Sequence, residues 1–261
     1  MQLPEKIHAL ISDEAYQVDG IGMSEASIFI FEDKVLKIQE RNIESENEFQ
    51  MLTWLGERLP VPQVYAYESM GDKVYLLMSK CGGRMTCAPE YMQDPAMLVK
   101  VLASGLKRLW QVDVSACPSD CRLKNKLAQA RYQVEHGLVD MDNVEPDTFG
   151  PDGFKNPEAL LQWLCDHQPE EEPVLSHGDY CLPNIFGAGN EVSGYIDLGR
   201  AGIADKWCDI ALCYRSLSHN YSGRYHGQEY SGYDDLLLFQ ELGIEPDWEK
   251  IRYYILLDEL F

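Results

Sequence analysis

What this sequence lacks narrows its chemistry before any motif is read. No apolar run approaches the ~20 residues that cross a bilayer; stretches such as 236–239 and 253–257 are short pieces of amphipathic segments, so membrane insertion is not expected. Basic residues are scarce: 22 Lys and Arg stand against 43 Asp and Glu, a formal net charge of −21. A surface of that sign repels nucleic acid and anionic lipid and suits a cationic partner, with solubility as the plainer use of the same charge. The first residues, MQLPEKIHALISDEAY, lack the basic, then apolar, then small-residue succession of a secretory signal, and a cytoplasmic location is expected. The eight cysteines, at positions 81, 87, 117, 121, 165, 181, 208 and 213, include no CxxC pair and no matching histidine spacing. That removes the common zinc patterns and leaves free thiols as the expectation. Internal repeats and low-complexity segments are missing as well.

What is present is enough for a substantial core. The chain has 261 residues, 45% of them hydrophobic, which suits one large domain or two packed lobes. Residues 4–16 read as a short helix with Pro4 in its first turn, where a missing backbone donor does no harm. Segments 28–31 and 35–38 flank the polar turn Glu32-Asp33-Lys34 and read as a hairpin. Phe49, Leu52, Trp54 and Leu55 suit a helix over 44–59 that Pro60-Val61-Pro62 stops. Strands are expected at 64–67 and 74–78, and Cys81-Gly82-Gly83 reads as a joint between lobes. Beyond it the texture is mainly helical: Leu98, Val101, Leu102, Leu106, Leu109 and Trp110 repeat at helical spacing. Further helices are expected at 122–136 and 157–165, after Asp205, and over 247–261, with an acidic loop at 140–156.

Chemistry concentrates in VLSHGDYCLPNIF, residues 174–186, and YIDLG, residues 195–199. Apolar, strand-like runs border polar loops here, and two hairpin strands would bring Asp179, Asn184 and Asp197 together. Carboxylates and a carboxamide are hard oxygen ligands suited to magnesium. The interval from Asp179 to Asn184 equals the D-x-x-x-x-N of the protein-kinase catalytic loop, and Asp197-Leu198-Gly199 stands where the metal-binding D-F-G follows. In that template Asp179 receives the attacking hydroxyl's proton, while Asn184 and Asp197 hold metal. His177 is left to loop packing. A kinase-like site also needs a cation on the phosphates; Lys37, ending Val35-Leu36-Lys37, fits, with Glu48 in the next helix to orient it. The turn Gly20-Ile21-Gly22-Met23-Ser24 has backbone donors for phosphate but not the full glycine-rich pattern.

Through HGDYCLPNIF, GYIDLGRAGIADKWCDIALCYRS and the terminal DWEKIRYYILLDELF, the sequence resembles the aminoglycoside 3′-phosphotransferases over nearly its whole length. The resemblance implies an α+β, two-lobed protein-kinase-like fold: a small, mainly β nucleotide-binding lobe over 1–82, and a larger, mainly helical catalytic and acceptor lobe over 83–261. It implies ATP as donor, with GTP left open, Mg2+, and transfer of the γ-phosphoryl group to the 3′-hydroxyl of an aminocyclitol antibiotic, giving resistance. A monomer with a small-molecule partner, and no nucleic acid or membrane partner, is expected. By position, Asp179 resembles the catalytic base and Asn184 and Asp197 the metal ligands. Lys37, Glu48, Ser24 and the hinge residues Ser79 and Cys81 fall on the nucleotide side. Arg200 and Arg215 resemble the family's basic residues near the site of transfer. Asp142, Glu145, Asp258, Glu259 and the terminal Phe261 fall on the acceptor side, where negative charge at a helix C-terminus wants a cation. Two departures stand out: Val35 where some relatives place an aromatic residue, and His219-Asn220 in place of an acidic pair, followed by a Tyr- and Gly-rich insertion over 221–233. A kinase acting on another small cationic hydroxylated molecule, of the choline or macrolide type, is the alternative within enzymes. A catalytically silent nucleotide-binding module is the alternative outside them.

Overall fold

The computed structural model describes residues 3–11, 14–18, 26–151, 153–224 and 227–261. Helix α1 (Glu5–Ile11) precedes strands β1 (Gln17–Val18), β2 (Ser27–Ile30) and β3 (Lys34–Glu40), helix α2 (Ile43–Leu55), and strands β4 (Val64–Met70) and β5 (Lys73–Ser79). These five strands form one antiparallel sheet in the order β1-β2-β3-β5-β4. Side-chain alternation divides its faces. Leu36, Ile38, Tyr75 and Leu77 pack with Ile7 and Ile11 of α1 in a small core. Leu76 and Met78 face the other way, joining Met51, Leu52 and Leu55 of α2 in the main core. Lys37, between Leu36 and Ile38, is thereby turned toward α2.

Helices α1 and α2 are shorter than their sequence patterns suggest. α1 spans Glu5–Ile11, and Tyr16 lies beyond it with its ring 5.3 Å from Phe29 and 5.9 Å from Phe31. α2 begins in a capping box between Asn42 and Ser45 and ends at Leu55, five residues before Pro60. Gly56, a poor helix former, follows at once, and the N–H groups of Arg58 and Leu59 both return to the Leu55 carbonyl at 2.8 and 3.0 Å.

The chain then passes Gly83, whose φ of +87° suits glycine; a Cβ there would lie 2.2 Å from the Gly187 carbonyl oxygen. Next come β6 (Arg84–Met85), α3 (Pro89–Met92), α4 (Pro95–Trp110), α5 (Leu123–Glu135) and α6 (Pro157–Asp166). Residues 140–151 and 153–156 contain neither helix nor strand. After them lie β7 (Pro173–Ser176), β8 (Ile185–Ala188), β9 (Glu191–Tyr195), β10 (Gly202–Asp205), α7 (Lys206–Tyr221), α8 (Leu237–Leu242) and α9 (Trp248–Asp258). β6, β8 and β9 form one small sheet, and β7 pairs with β10 in another. The hairpin expected from 174–186 and 195–199 is therefore β8–β9 alone, while β7 finds its partner beyond the Asp197 turn. α9 stops at Asp258 rather than at residue 261, because Leu260 and Phe261 close the helix with turn-like bonds to Leu257 and Asp258. No helix among the described residues is long and apolar enough to cross a membrane.

Candidate active site

Lys37 leaves the centre of the first sheet and is almost wholly buried. Its ammonium donates to Glu48 Oε2 at 2.9 Å and to Asp197 Oδ1 at 2.8 Å. Gln39 Nε2 donates to the same Glu48 oxygen at 3.1 Å. Burial alone would lower the lysine pKa, but the two carboxylates reverse this and raise it above the ordinary value. Burial likewise opposes the charge of Asp197, and Lys37 wins, holding that carboxyl below its usual range. Asp197 has φ 59° and ψ 58°, the one left-handed non-glycine among the described residues. Such a conformation costs on the order of 1–3 kcal/mol and collects at functional sites.

The second half of the site is the loop after β7. Both oxygens of Asp179 are engaged: Oδ1 accepts from the Cys181 thiol at 2.9 Å, and Oδ2 from Asn184 Nδ2 at 2.8 Å. The Ile196 N–H donates to the Asn184 carbonyl at 3.0 Å, which sets Asn184 beside the Asp197 turn. Gly178 permits the closest approach of the two loops: at φ +79°, a Cβ would lie 2.0 Å from the Arg200 carbonyl oxygen. His177 is fully buried, accepts from the Asp179 N–H at 3.3 Å and meets Tyr180 edge-on.

The donor set fits a divalent magnesium ion. Lys37 stands between two anions, which leaves the trio one negative charge in excess, and the Asp197 side chain is still 45% exposed. Since Asn184 spends its amide nitrogen on Asp179, its amide oxygen remains as a hard ligand next to that carboxylate.

Other expected residues fall in two groups. Ser79 ends β5 with its hydroxyl accepting from the Gln63 N–H at 2.9 Å, and burial pushes the Cys81 thiol up to about 12. The turn at 20–24, with Ser24, lies outside the described residues. On the acceptor side, Arg200 donates to Glu44 at 2.9 Å and to Asp258 at 3.1 Å. Arg215 donates to Asp258 and, at 3.1 Å, to Glu259. Glu259 also accepts the Glu145 N–H at 2.7 Å. The Glu145 side chain meets His219 Nε2 at 2.9 Å and the Arg224 guanidinium. The cation that the C-terminal carboxylates want is thus first supplied from within. The Phe261 ring carries Lys126 at 4.7 Å and Arg200 at 5.6 Å. Asp142 stays exposed, its N–H donating locally to Asp140 at 3.0 Å. Val35 is half-buried in β3 against Met78.

Three groups that shape the site escaped the sequence reading. Asp209, buried in α7, accepts from Ser176 Oγ at 2.9 Å and from the N–H groups of His177 and Gly178 at 2.8 and 2.9 Å. Asn47 of α2 donates to the carbonyls of Gly199 and Ala201, both at 2.9 Å, so this helix holds the Asp197 turn as well as Lys37. Cys181 is the third. The one signal for Asp209 in the sequence is a carboxylate inside an otherwise apolar helical run.

A buried lysine shared between a helix carboxylate and the aspartate of a tight turn, beside an Asp–Asn loop, defines a kinase-like phosphotransferase. The chain belongs to the phosphotransferase enzyme family, whose model matches residues 20–254. It is 38% identical to an aminoglycoside 3′-phosphotransferase of Enterococcus faecalis, across 100% of this chain and 99% of that one. A crystal structure of an aminoglycoside-3′-phosphotransferase of type VIII superposes with a TM-score of 0.79 at 25% identity, covering 98% of each chain. The aminoglycoside phosphotransferase APH(3″)-Id of Streptomyces rimosus, solved in complex with ADP and streptomycin, shares the fold with a TM-score of 0.78 at 24% identity, over 98% of this chain and 96% of that one.

Proposed function

We propose that this protein transfers the γ-phosphoryl group of ATP to the 3′-hydroxyl of aminoglycoside antibiotics and so confers resistance to them. The observation that carries this reading is a pair of linked clusters, Lys37 held by Glu48 and Asp197, and Asp179 held by Cys181 and Asn184, with the Ile196 N–H bonded to the Asn184 carbonyl between them. One half is a phosphate-binding cation and the other a carboxylate aimed for a hydroxyl. The full-length likeness to the Enterococcus faecalis enzyme supports the acceptor class and the position of transfer. Lobes divide the work: residues 1–82 bind nucleotide and 83–261 carry catalysis and acceptor.

In this mechanism Asp179 orients the acceptor hydroxyl and takes its proton as the oxygen attacks phosphorus. The bond between the γ-phosphorus and its bridging oxygen breaks, and ADP leaves. Lys37 binds phosphate oxygens, and Glu48 with Gln39 fixes its ammonium. Asn184 and Asp197 would hold Mg2+, which when bound supplies neutralising charge for the phosphates. Ser79 and Cys81 lie at the hinge beside the adenine, and Asp142, Glu145, Asp258, Glu259, Arg200, Arg215 and Phe261 line the acceptor side. Because the reaction draws on cellular ATP, we place the enzyme in the cytoplasm, working as a monomer without nucleic acid or membrane.

The test is an ADP-release assay with Mg2+ and ATP across kanamycin, neomycin, the 3′-deoxy compound tobramycin, choline and a macrolide. Turnover with kanamycin and neomycin but not tobramycin is expected. Turnover confined to choline or the macrolide overturns the acceptor assignment, and turnover with tobramycin overturns the position.

A further inference from the structure

Among the carboxylates outward from Asp179, Glu145 differs from its neighbours in how its charge is matched. Asp258 and Glu259 are paired with two arginines from within the site: Arg200 ends the turn that follows Asp197, and Arg215 sits in the middle of α7. Glu145 is matched by His219, in the last turn of α7, and by Arg224, which lies beyond the helix in a turn closed by its own N–H to the His219 carbonyl at 3.1 Å. The Arg224 side chain is 28% exposed, close to the 25% of Arg200 and above the 17% of Arg215. Burial works against a charge on Glu145, yet His219 and Arg224 hold its carboxyl down to about 2, so it remains an anion at neutral pH. Its backbone N–H ties it to Glu259, which keeps it on the acceptor face. Arg224 also donates to His219 Nε2 at 2.8 Å, so imidazole and guanidinium reach the Glu145 carboxylate together from the end of α7.

We propose that Arg224, with His219 beside it, is a tethered stand-in for a substrate ammonium at Glu145 and sets which acceptors the site prefers. An acceptor whose amine reaches Glu145 must displace the guanidinium, whereas one carrying a hydroxyl there leaves it in place. Removing the charge of Arg224 therefore favours the amine. This inference rests on the aminoglycoside reading above.

The experiment measures KM for two matched pairs that each differ by one amine in place of a hydroxyl: neomycin with paromomycin, and kanamycin B with kanamycin A. Wild type, Arg224→Gln, Arg224→Lys and His219→Gln are compared with Mg2+ and ATP. In Arg224→Gln the amine member of at least one pair gains about tenfold in KM over its hydroxyl partner, the size of one charge-assisted hydrogen bond. KM for ATP stays put, and Arg224→Lys returns the wild-type ratio. His219→Gln, which keeps the Arg224 charge but removes the imidazole it bonds at 2.8 Å, shifts the ratio the same way by less and serves as the second variant should Arg224→Gln not fold. Ratios that move by less than about threefold in both pairs, below ~0.7 kcal/mol, or that move toward the hydroxyl member, overturn the role of Arg224 alone. A wild type that turns over none of the four sinks the acceptor assignment and this inference with it.

Discussion

At the scale of single residues, the site separates groups that do chemistry from groups that hold them. In the proposed mechanism Asp179 is of the first kind. Replacing it with alanine removes both base and aim, and kcat falls by ~10² to 10⁴ while ATP binding, measured by titration, is nearly unchanged. Asp209 is of the second kind. Its carboxylate satisfies a buried hydroxyl and two buried backbone donors; Ser176 Oγ also accepts the Gly178 N–H at 3.1 Å, so Asp209→Ala strands the hydroxyl and the His177 N–H and costs on the order of 2 kcal/mol or more, read from the denaturant midpoint. The difference explains what the sequence disclosed. Asp179, Asn184 and Asp197 are legible because oxygen ligands for one reaction must recur at fixed intervals along two short loops. Asp209 bonds mostly to backbone, and main-chain N–H groups leave no trace in residue types. Cys181 stood inside the quoted motif, but only the fold reveals that its thiol touches Asp179.

At the scale of elements, strands were easier to read than ends. β5 is apolar from Val74 to Met78, and β3 carries Val35, Leu36 and Ile38 beside a polar turn, residues that favour extended structure. Helix boundaries depended on bonds a linear pattern does not hold, such as the N–H groups of Arg58 and Leu59 that return to the Leu55 carbonyl where α2 ends. The end of α9 gives a test of its own. Burial raises the Glu259 carboxyl from an ordinary 4.5 to about 7, with the Glu145 N–H and Arg215 pulling the other way. The folded protein therefore binds more protons here than the unfolded chain between pH 4.5 and 7, and stability from this group falls as pH rises across that window. Glu145 acts with the opposite sign: held down to about 2, it contributes above 4.5 and loses that contribution as pH drops toward 2. Glu259→Gln accordingly flattens the decline in Tm from pH 5 to 8, and an unchanged slope would place the titration elsewhere.

At the scale of the whole molecule, two features act together: the excess of acid and the way the lobes are joined. Glu44 reaches Arg200 from α2, and Asn47 reaches the carbonyls beside it, so the helix that follows the first sheet holds the Asp197 turn. Around that joint the chain carries a formal charge of −21. This field draws in a polycationic acceptor and repels the anionic donor, and its reach shrinks from about 30 Å at 0.01 M salt to about 8 Å at 0.15 M. The two substrates should therefore answer salt with opposite signs. Raising KCl from 20 to 500 mM is expected to lift KM for kanamycin by several-fold to about tenfold and to leave KM for ATP unchanged or lower. Parallel rises in both would point to weakening of the Asp197 turn, since Glu44 and Arg200 are partly exposed and salt screens their pairing. A flat kanamycin KM would mean that its ammonium groups bind through desolvated contacts alone, with the general negative field contributing nothing.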